Sequence, residues 1–347
     1  MINDQGHTMN YQYRADDAGL VVEVEAPARL HLGFLDLHGG LGRKFGSIGL
    51  TIDTLVTRLS ASKSSEITAT GPSSERATKY AREYMQACGL KGGVDITLQQ
   101  AIPDHVGLGS GTQMALAVGT AIEHLYGGSR DSNCIAQSLK RGKRSGIGIG
   151  AFDRGGFILD CGRGENDAIP PVPIRLEFPS SWRILLLFDS RGQGLHGKAE
   201  VGAFSALPEF SEQSAAHLCR LAMMQVVPGI METQLGPFSK AIGEIQQVVG
   251  DHFASAQGGR FTSPMVSAAL NWIAEQGYKG VGQSSWGPTG FVLLEGQTQA
   301  DRIERELKHR FGELSSFRCQ QVAARNTGAE VRLLQQPTRL INQKRAR

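Results

Sequence analysis

The sequence predicts an α+β chain of two domains, on three observations. Its 347 residues exceed one ordinary hydrophobic core, at roughly 100–200 residues per domain. Strand-like and helix-like segments follow one another without the regular alternation of a doubly wound parallel sheet. A stretch from Ala168 to Trp182 carries Pro170, Pro171, Pro173 and Pro179, which disfavour a continuous helix or a central strand there. The chain thus divides into a polar, flexible leader (1–19), a first domain (20–180), a second domain (181–337) and a basic tail (338–347).

In the first domain, "LVVEVEAPARLHLGFLDL" alternates apolar and polar residues as a strand does, and "GSIGLTIDTLVTRLSAS" and "GGVDITLQQA" are further strand regions. "SSERATKYAREYMQACG" reads as a helix with a Ser/Glu start and a Gly stop. In "PDHVGLGSGTQMALAVGTAI", a glycine loop feeds a helix on which Met114, Val118, Ile122 and Leu125 share one face. "DSNCIAQSLKRG" is a further helix, followed by a second glycine-rich segment, "RSGIGIGAFDRGGFILDCG".

In the second domain, "RILLLFDS" is a short buried strand, followed by helical stretches near 212–227, 237–253 and 264–277. "KGVGQSSW" and "GFVLLEG" read as strand, loop and strand. "QADRIERELKHRF" is an amphipathic helix with Ile303, Leu307 and Phe311 in register, and "SFRCQQVAAR" and "AEVRLL" are closing strands. Met223 and Met224 are expected in the core. The polar glycine loop "RGQGLHGKAE" is a candidate lid carrying His196 and Lys198.

Composition bounds the function. A net charge of +3, without a basic stripe interleaved with aromatics, gives no footprint for nucleic acid. No run of about 18 apolar residues predicts a membrane span. The five cysteines are scattered and form no CxxC pair, which fits a reducing cytoplasm better than a disulfide framework or a cysteine-ligated metal. Small-molecule substrates are the expected partners.

The glycine loop carries the chemistry. In Gly107, Leu108, Gly109, Ser110, Gly111 and Thr112, small residues let backbone N–H groups converge on an anion at a helix N-terminus, with two hydroxyls to help. No Gly-Lys-Ser/Thr ends the loop, so it is not a P-loop, and its spacing is not GxGxxG. A tight turn packing a helix on a sheet is the alternative use of these residues.

"PDHVGLGSGTQMALA" resembles the second motif of the GHMP small-molecule kinase superfamily, "APARLHLGFLDLHGGLGRKFGSIGL" its first, and "GQSSWGPTGFVL" its glycine-rich third. Order and spacing agree from about Val21 to about Leu334. Together with "SGIGIGAFDRGGFILD", these stretches resemble one branch, the beta-ribofuranosylaminobenzene 5'-phosphate synthase family. The resemblance implies a GHMP-kinase-like fold, with an N-terminal mixed sheet and helix domain and a ferredoxin-like C-terminal domain. It also implies condensation of phosphoribosyl pyrophosphate with 4-aminobenzoate, or 4-hydroxybenzoate, to a C-riboside, with loss of pyrophosphate and carbon dioxide. The reaction opens methanopterin-type cofactor biosynthesis. The family is implied to use Mg²⁺ and to hold its sugar phosphate where relatives hold ATP.

Under that resemblance, the loop cradles one anionic end, and Arg29, Arg43, Lys44, Arg144 and Arg154 are candidate cations for the other. Asp36 and Asp153 are candidates to steady positive charge on the ribose. His31 and His105 are candidates to bond a carboxylate or phosphate. Ser284, Ser285 and Trp286, from the third motif, would line the site, with Trp286 stacked on the ring. No His/Asp/Glu spacing names a metal ligand. A homodimer is a fold-level analogy. An ATP-dependent kinase with Asp153 as base, and a ligand sensor on the same fold, are the competing readings.

Overall fold

A computed structural model describes residues 19–165, 168–191, 202, 207–285, 287–312 and 316–335. Trp286, His196, Lys198, the leader up to residue 18 and the tail lie outside these residues.

The first half runs β1 (Leu20–Asp36), β2 (Phe45–Ser64), β3 (Thr68–Thr70), α1 (Ser74–Cys88), β4 (Gly93–Gln100), α2 (Ser110–Leu125), α3 (Ser132–Ser138), α4 (Ile147–Asp153), β5 (Phe157–Asp160) and β6 (Ile174–Leu176). The second half adds β7 (Arg183–Asp189), α5 (Glu212–Leu221), a π-helical turn (Ala222–Val226), α6 (Val227–Met231), α7 (Leu235–Gln257), α8 (Pro264–Glu275), β8 (Val281–Gln283), β9 (Gly290–Leu294), α9 (Gln297–Phe311), β10 (Phe317–Val322) and β11 (Glu330–Gln335).

The first sheet has the order β11-β1-β2-β4-β3, with β5 on β2 and β6 on β5. The proline stretch supplies only β6, a three-residue strand paired on β5. β4 shows the alternation its sequence predicts: Val94, Ile96 and Leu98 are buried, and Asp95 and Thr97 are exposed. α1 buries Ala77, Tyr80, Ala81, Tyr84 and Met85, a stripe at three- and four-residue spacing. Its expected Ser cap differs: Ser73 takes φ 58 and makes no cap bond, while Gly89 ends the helix as expected, in a left-handed turn. α2 was expected to bury one face, but Ala115, Leu116, Ala117 and Ala121 are buried as well as Met114, Val118, Ile122 and Leu125. It is an internal helix, which is why so few of its residues are charged.

The second sheet is antiparallel, in the order β10-β7-β9-β8. Its chain order, strand–helices–strand–strand–helix–strand, is the ferredoxin-like topology. Ile184 and Leu186 of β7 and Phe291 and Leu293 of β9 share one core with Phe238, Ile242 and Ile245 of α7 and Leu30 and Leu32 of β1. Leu185, Leu187, Val292 and Leu294 pack on the opposite face against Leu270 of α8 and Ile303 and Leu307 of α9. The unbroken run in "RILLLFDS" thus comes from burial on both faces. α7 lies between the sheets and welds the halves.

Two expectations change. "AEVRLL" does form a strand, β11, but it returns to the first sheet and pairs with β1 from Leu20↔Gln335 to Glu25↔Glu330. Met223 and Met224 are 54% and 68% exposed. The π-helical turn breaks the 3.6-residue register just before Pro228, burying Ala222 and Val226 and turning the methionines outward.

Candidate functional site at the start of α2

The loop ahead of α2 is shaped by close backbone approach. Gly107 and Gly109 take φ of 86 and 84, and His105, half-buried, takes φ 62. A Cβ on Gly107 would lie 2.2 Å from the Ser284 carbonyl oxygen, and one on Gly287 would lie 2.3 Å from the Gly107 nitrogen. The second and third motifs therefore interlock backbone to backbone. Leu108, fully buried, anchors the loop in the core. Gly109 caps α2: its carbonyl accepts the N–H groups of Thr112 and Gln113, both at 3.1 Å. The N–H groups of Ser110 and Gly111 have no acceptor among the described residues, the situation of the first turn of any helix.

β1 brings Arg29 and His31 to this loop. The Arg29 N–H donates to the Leu108 carbonyl at 3.1 Å, and its Nη1 donates to the Gly107 carbonyl at 2.7 Å. The Ser284 hydroxyl donates to the same carbonyl at 2.8 Å and accepts the His31 N–H at 2.9 Å. Register shifts in β1 between Pro27 and Arg29 and between His31 and Gly33 bracket these two residues. The His31 ring is 4% exposed and meets Phe34 edge-on at 4.5 Å. Burial, aided by the Arg29 charge, pulls its pKa down to about 3, so it is a neutral imidazole at neutral pH.

Nε2 of His31 has no partner among the described residues. The ring lines a small cavity with Gln246, Gln283, Ser285 and Phe253. Gln246 spans the two halves there, donating to the Leu32 carbonyl and accepting the Gln283 N–H, each at 2.8 Å. On the other side of the loop, Gln113 donates to the Gly148 carbonyl at 2.7 Å, which seats the second glycine-rich segment against Thr112. Arg144 is half-buried ahead of α4.

Four residues at the loop escape the sequence reading. Arg76 of α1 donates from Nη1 to Asp104 at 2.5 Å and to the Ser110 hydroxyl at 3.2 Å. Asp104 also accepts from Ser73 at 3.3 Å. Arg141 lies over the Tyr80 ring, 5.0 Å from its centroid, and donates to the Tyr80 hydroxyl. Its Nη1 would be 3.6 Å from a Cβ on Gly111. Arg76 and Tyr80 stand four residues apart on one face of α1, a signal present once that helix is assigned. Arg141 is hidden in "KRGKRSG", where charge alone does not say which cation turns inward.

Five expected site residues make their contacts with residues outside the loop. Asp36 accepts the Gly39 N–H at 2.8 Å and closes the turn after β1. Seven residues of strand separate it from Arg29, about 23 Å at about 3.3 Å per residue. Arg43 is exposed and holds the carbonyls of Cys161 and Gly162 at 2.9 and 2.6 Å, and exposed Lys44 forms a backbone bridge to Arg163. Asp153, at the end of α4, is exposed and accepts from Ser132 at 2.8 Å. Arg154 is exposed and donates to the Val172 carbonyl at 3.2 Å. In this structure the side chains of Asp36, Arg43, Asp153 and Arg154 and the backbone of Lys44 are engaged within the fold.

Comparison with known proteins agrees with this fold. Residues 75–156 match the GHMP kinases N terminal domain and residues 226–313 the GHMP kinases C terminal domain. Among solved structures, homoserine kinase from Cytophaga hutchinsonii superposes with a TM-score of 0.63 at 18% identity, covering 93% of this chain and 99% of that one. Mevalonate diphosphate decarboxylase from Staphylococcus aureus superposes at 0.60 and 15% identity, covering 90% and 98%. Both likenesses concern the fold. Beta-ribofuranosylphenol 5'-phosphate synthase of Methanocaldococcus jannaschii is 29% identical, covering 78% of this chain and 88% of its own. The enzyme of that name from Archaeoglobus fulgidus is 30% identical over 327 residues, covering 90% of this chain and 99% of its own. With a relative of that similarity matched almost end to end, the chain belongs to the beta-ribofuranosylphenol 5'-phosphate synthase family, on the two-domain GHMP kinase fold.

Proposed function

We propose that the protein joins phosphoribosyl pyrophosphate to 4-hydroxybenzoate or 4-aminobenzoate, giving a C-riboside 5'-phosphate, pyrophosphate and carbon dioxide, in the biosynthesis of a methanopterin-type cofactor. The relatives' name describes a ribofuranosyl group on a phenol, which favours the hydroxyl over the amine. The five free thiols suit a reducing cytoplasm, and no helix among the described residues is long and apolar enough to cross a membrane.

One structural observation carries the choice of chemistry. The glycine loop is ringed by cations, while the carboxylate a kinase would need as base, Asp153, is exposed at the end of α4 and bonded to Ser132. The proposed condensation needs no strong base. The C1–O bond of the ribose breaks and its electron pair leaves with the diphosphate. The ring carbon bearing the carboxylate bonds to C1. Carbon dioxide then departs, and the pair of its C–C bond restores aromaticity. The loop serves the first step, because helix N–H groups and guanidinia stabilise negative charge as it develops on the leaving group. Neutral His31, held by Ser284, adds no charge and can only donate or accept a hydrogen bond.

No group of three or more His, Cys, Asp or Glu side chains among the described residues forms a cage for a metal. The donors present fit Mg²⁺ only as an ion carried by the substrate's phosphates, the usual mode for this cation. Asp104 is the carboxylate beside the loop that would meet it, and bound Mg²⁺ would neutralise diphosphate charge.

The test is incubation with Mg²⁺, phosphoribosyl pyrophosphate and carboxyl-labelled 4-hydroxybenzoate or 4-aminobenzoate. Labelled carbon dioxide released only when both substrates are present is the expected result. No release, with ADP formed from ATP and a small alcohol, would return the protein to the kinases.

A further inference from the structure

We infer that Arg141 and Arg76, with the N–H groups of Ser110 and Gly111, form the receptor for the diphosphate of the substrate, and that Tyr80 is the positioning residue that aims Arg141. This rests on the proposed reaction for the identity of the leaving group. The receptor itself rests on the geometry.

Three elements that have no sequence proximity, β1, α1 and the segment between α3 and α4, each place one guanidinium at the start of α2. Among the described residues Arg141 pairs with no carboxylate, and its buried Nε has no acceptor. Its one side-chain hydrogen bond goes to a neutral phenol. A half-buried cation facing the positive end of a helix raises the energy of the empty site, and an anion between them reverses that cost. Arg76 is partly neutralised by Asp104, yet it keeps contact with the Ser110 hydroxyl on the flank of the same helix start.

The two-sided geometry favours a diphosphate over a phosphate monoester. Arg76, paired with Asp104, and Arg141 flank the helix start, and the helix adds roughly half a positive charge. A monoester brings at most about two negative charges. A diphosphate brings more, and bridges both flanks of the helix start, Arg76 at Ser110 and Arg141 at Gly111. Tyr80 is 3% exposed and is held under Arg141 by the packing of α1 on α2. Burial raises its pKa despite the nearby arginines, so it remains a phenol that accepts from Arg141.

The experiment is calorimetric titration of the purified protein with inorganic pyrophosphate and, separately, with ribose 5-phosphate. Arg141→Met is expected to weaken pyrophosphate at least about tenfold, the loss of a charge-assisted contact. Arg141→Lys restores part of it, because the charge returns without the planar fork. Tyr80→Phe keeps the ring and the fold but lets the guanidinium swing, and weakens pyrophosphate about threefold to fivefold. Ribose 5-phosphate changes less than about twofold in each variant. Thermal unfolding checks that Arg141→Lys and Tyr80→Phe are folded. The inference is overturned if the wild-type protein does not bind pyrophosphate, if Arg141→Met and Tyr80→Phe bind it as the wild type does, or if both ligands weaken equally. Pyrophosphate binding requires no turnover, so this result is independent of whether labelled carbon dioxide is released.

Discussion

Replacing Gly107 by Ala tests whether the second and third motifs are locked together. Two costs add at this position. The residue sits at φ 86, where an L-residue loses about 1–2 kcal/mol. Its new methyl group would also stand 2.2 Å from the Ser284 carbonyl oxygen and 3.0 Å from Gly287 Cα, both backbone atoms that cannot rotate away. Forcing the loops apart adds roughly 1–3 kcal/mol, the usual range for overpacking. Gly42 is the matched control: its φ is 78, but nothing lies within 4 Å of its Cβ position, so Gly42→Ala pays only the conformational part. Urea unfolding of both variants measures the difference. Gly107→Ala should be less stable than Gly42→Ala by roughly 1–3 kcal/mol, and should also lose carbon dioxide release, because the carbonyl gripped by Arg29 and Ser284 moves. Equal stability of the two variants would refute the interlock, and full activity in Gly107→Ala would refute the loop's place in the site.

Three further outcomes follow from the same geometry. His31 has a native pKa of about 3 against 6.5 for the free group, so the unfolded chain binds the extra proton between those values. Stability therefore falls as pH drops from about 6.5 toward 3, by up to about 1.36 kcal/mol per pH unit from this residue. His31→Gln should flatten the stability–pH curve there relative to wild type, and parallel curves would contradict the buried, neutral state. Gln246→Leu strands the Leu32 carbonyl and the Gln283 N–H, and should cost roughly 2–4 kcal/mol in urea unfolding; a loss below about half a kcal/mol would show that Gln246 does not join the halves. Asp36→Asn and Asp153→Asn should keep kcat/KM for carbon dioxide release within about threefold of wild type, since surface changes away from the chemistry are near-neutral; a hundredfold loss in either would restore it as a catalytic carboxylate.

The elements were legible because each obeys a local rule. The alternation in β4, the apolar stripe of α1 and the glycine ending it are statements about neighbours in sequence. The site was legible where a local rule also has chemical meaning, as in the glycine loop opening α2. It was illegible where one signal serves two purposes. The glycines of "SGIGIGAFDRGG" mark Asp153 as a candidate, yet a glycine there also answers to packing: a Cβ on Gly155 would lie 2.3 Å from the Thr327 carbonyl oxygen. Asp36 carries the same ambiguity, since a carboxylate after a strand accepts a turn N–H as readily as it meets a substrate. β11 pairs with a strand some 300 residues away, and no local pattern in "AEVRLL" distinguishes that partner from the second sheet.

What decides the ligand is therefore not the loop. A glycine-bearing turn at a helix N-terminus accepts any phosphate. The loop's own backbone is committed elsewhere: Gly107 presses on Ser284 and Gly287, and its carbonyl holds Arg29 and the Ser284 hydroxyl. The N–H groups from Gly107 to Gly111 have no acceptor among the described residues. Under the proposed reaction, the residues that would turn this general anion site toward it are those brought from other elements, Arg76 and Tyr80 on α1 and Arg141 ahead of α4. A stack of guanidinium on phenol, pointed at a helix dipole and pairing with no carboxylate among the described residues, is unfavourable in the empty protein. An anion at the helix start would offset that cost, as the leaving diphosphate of the proposed reaction would.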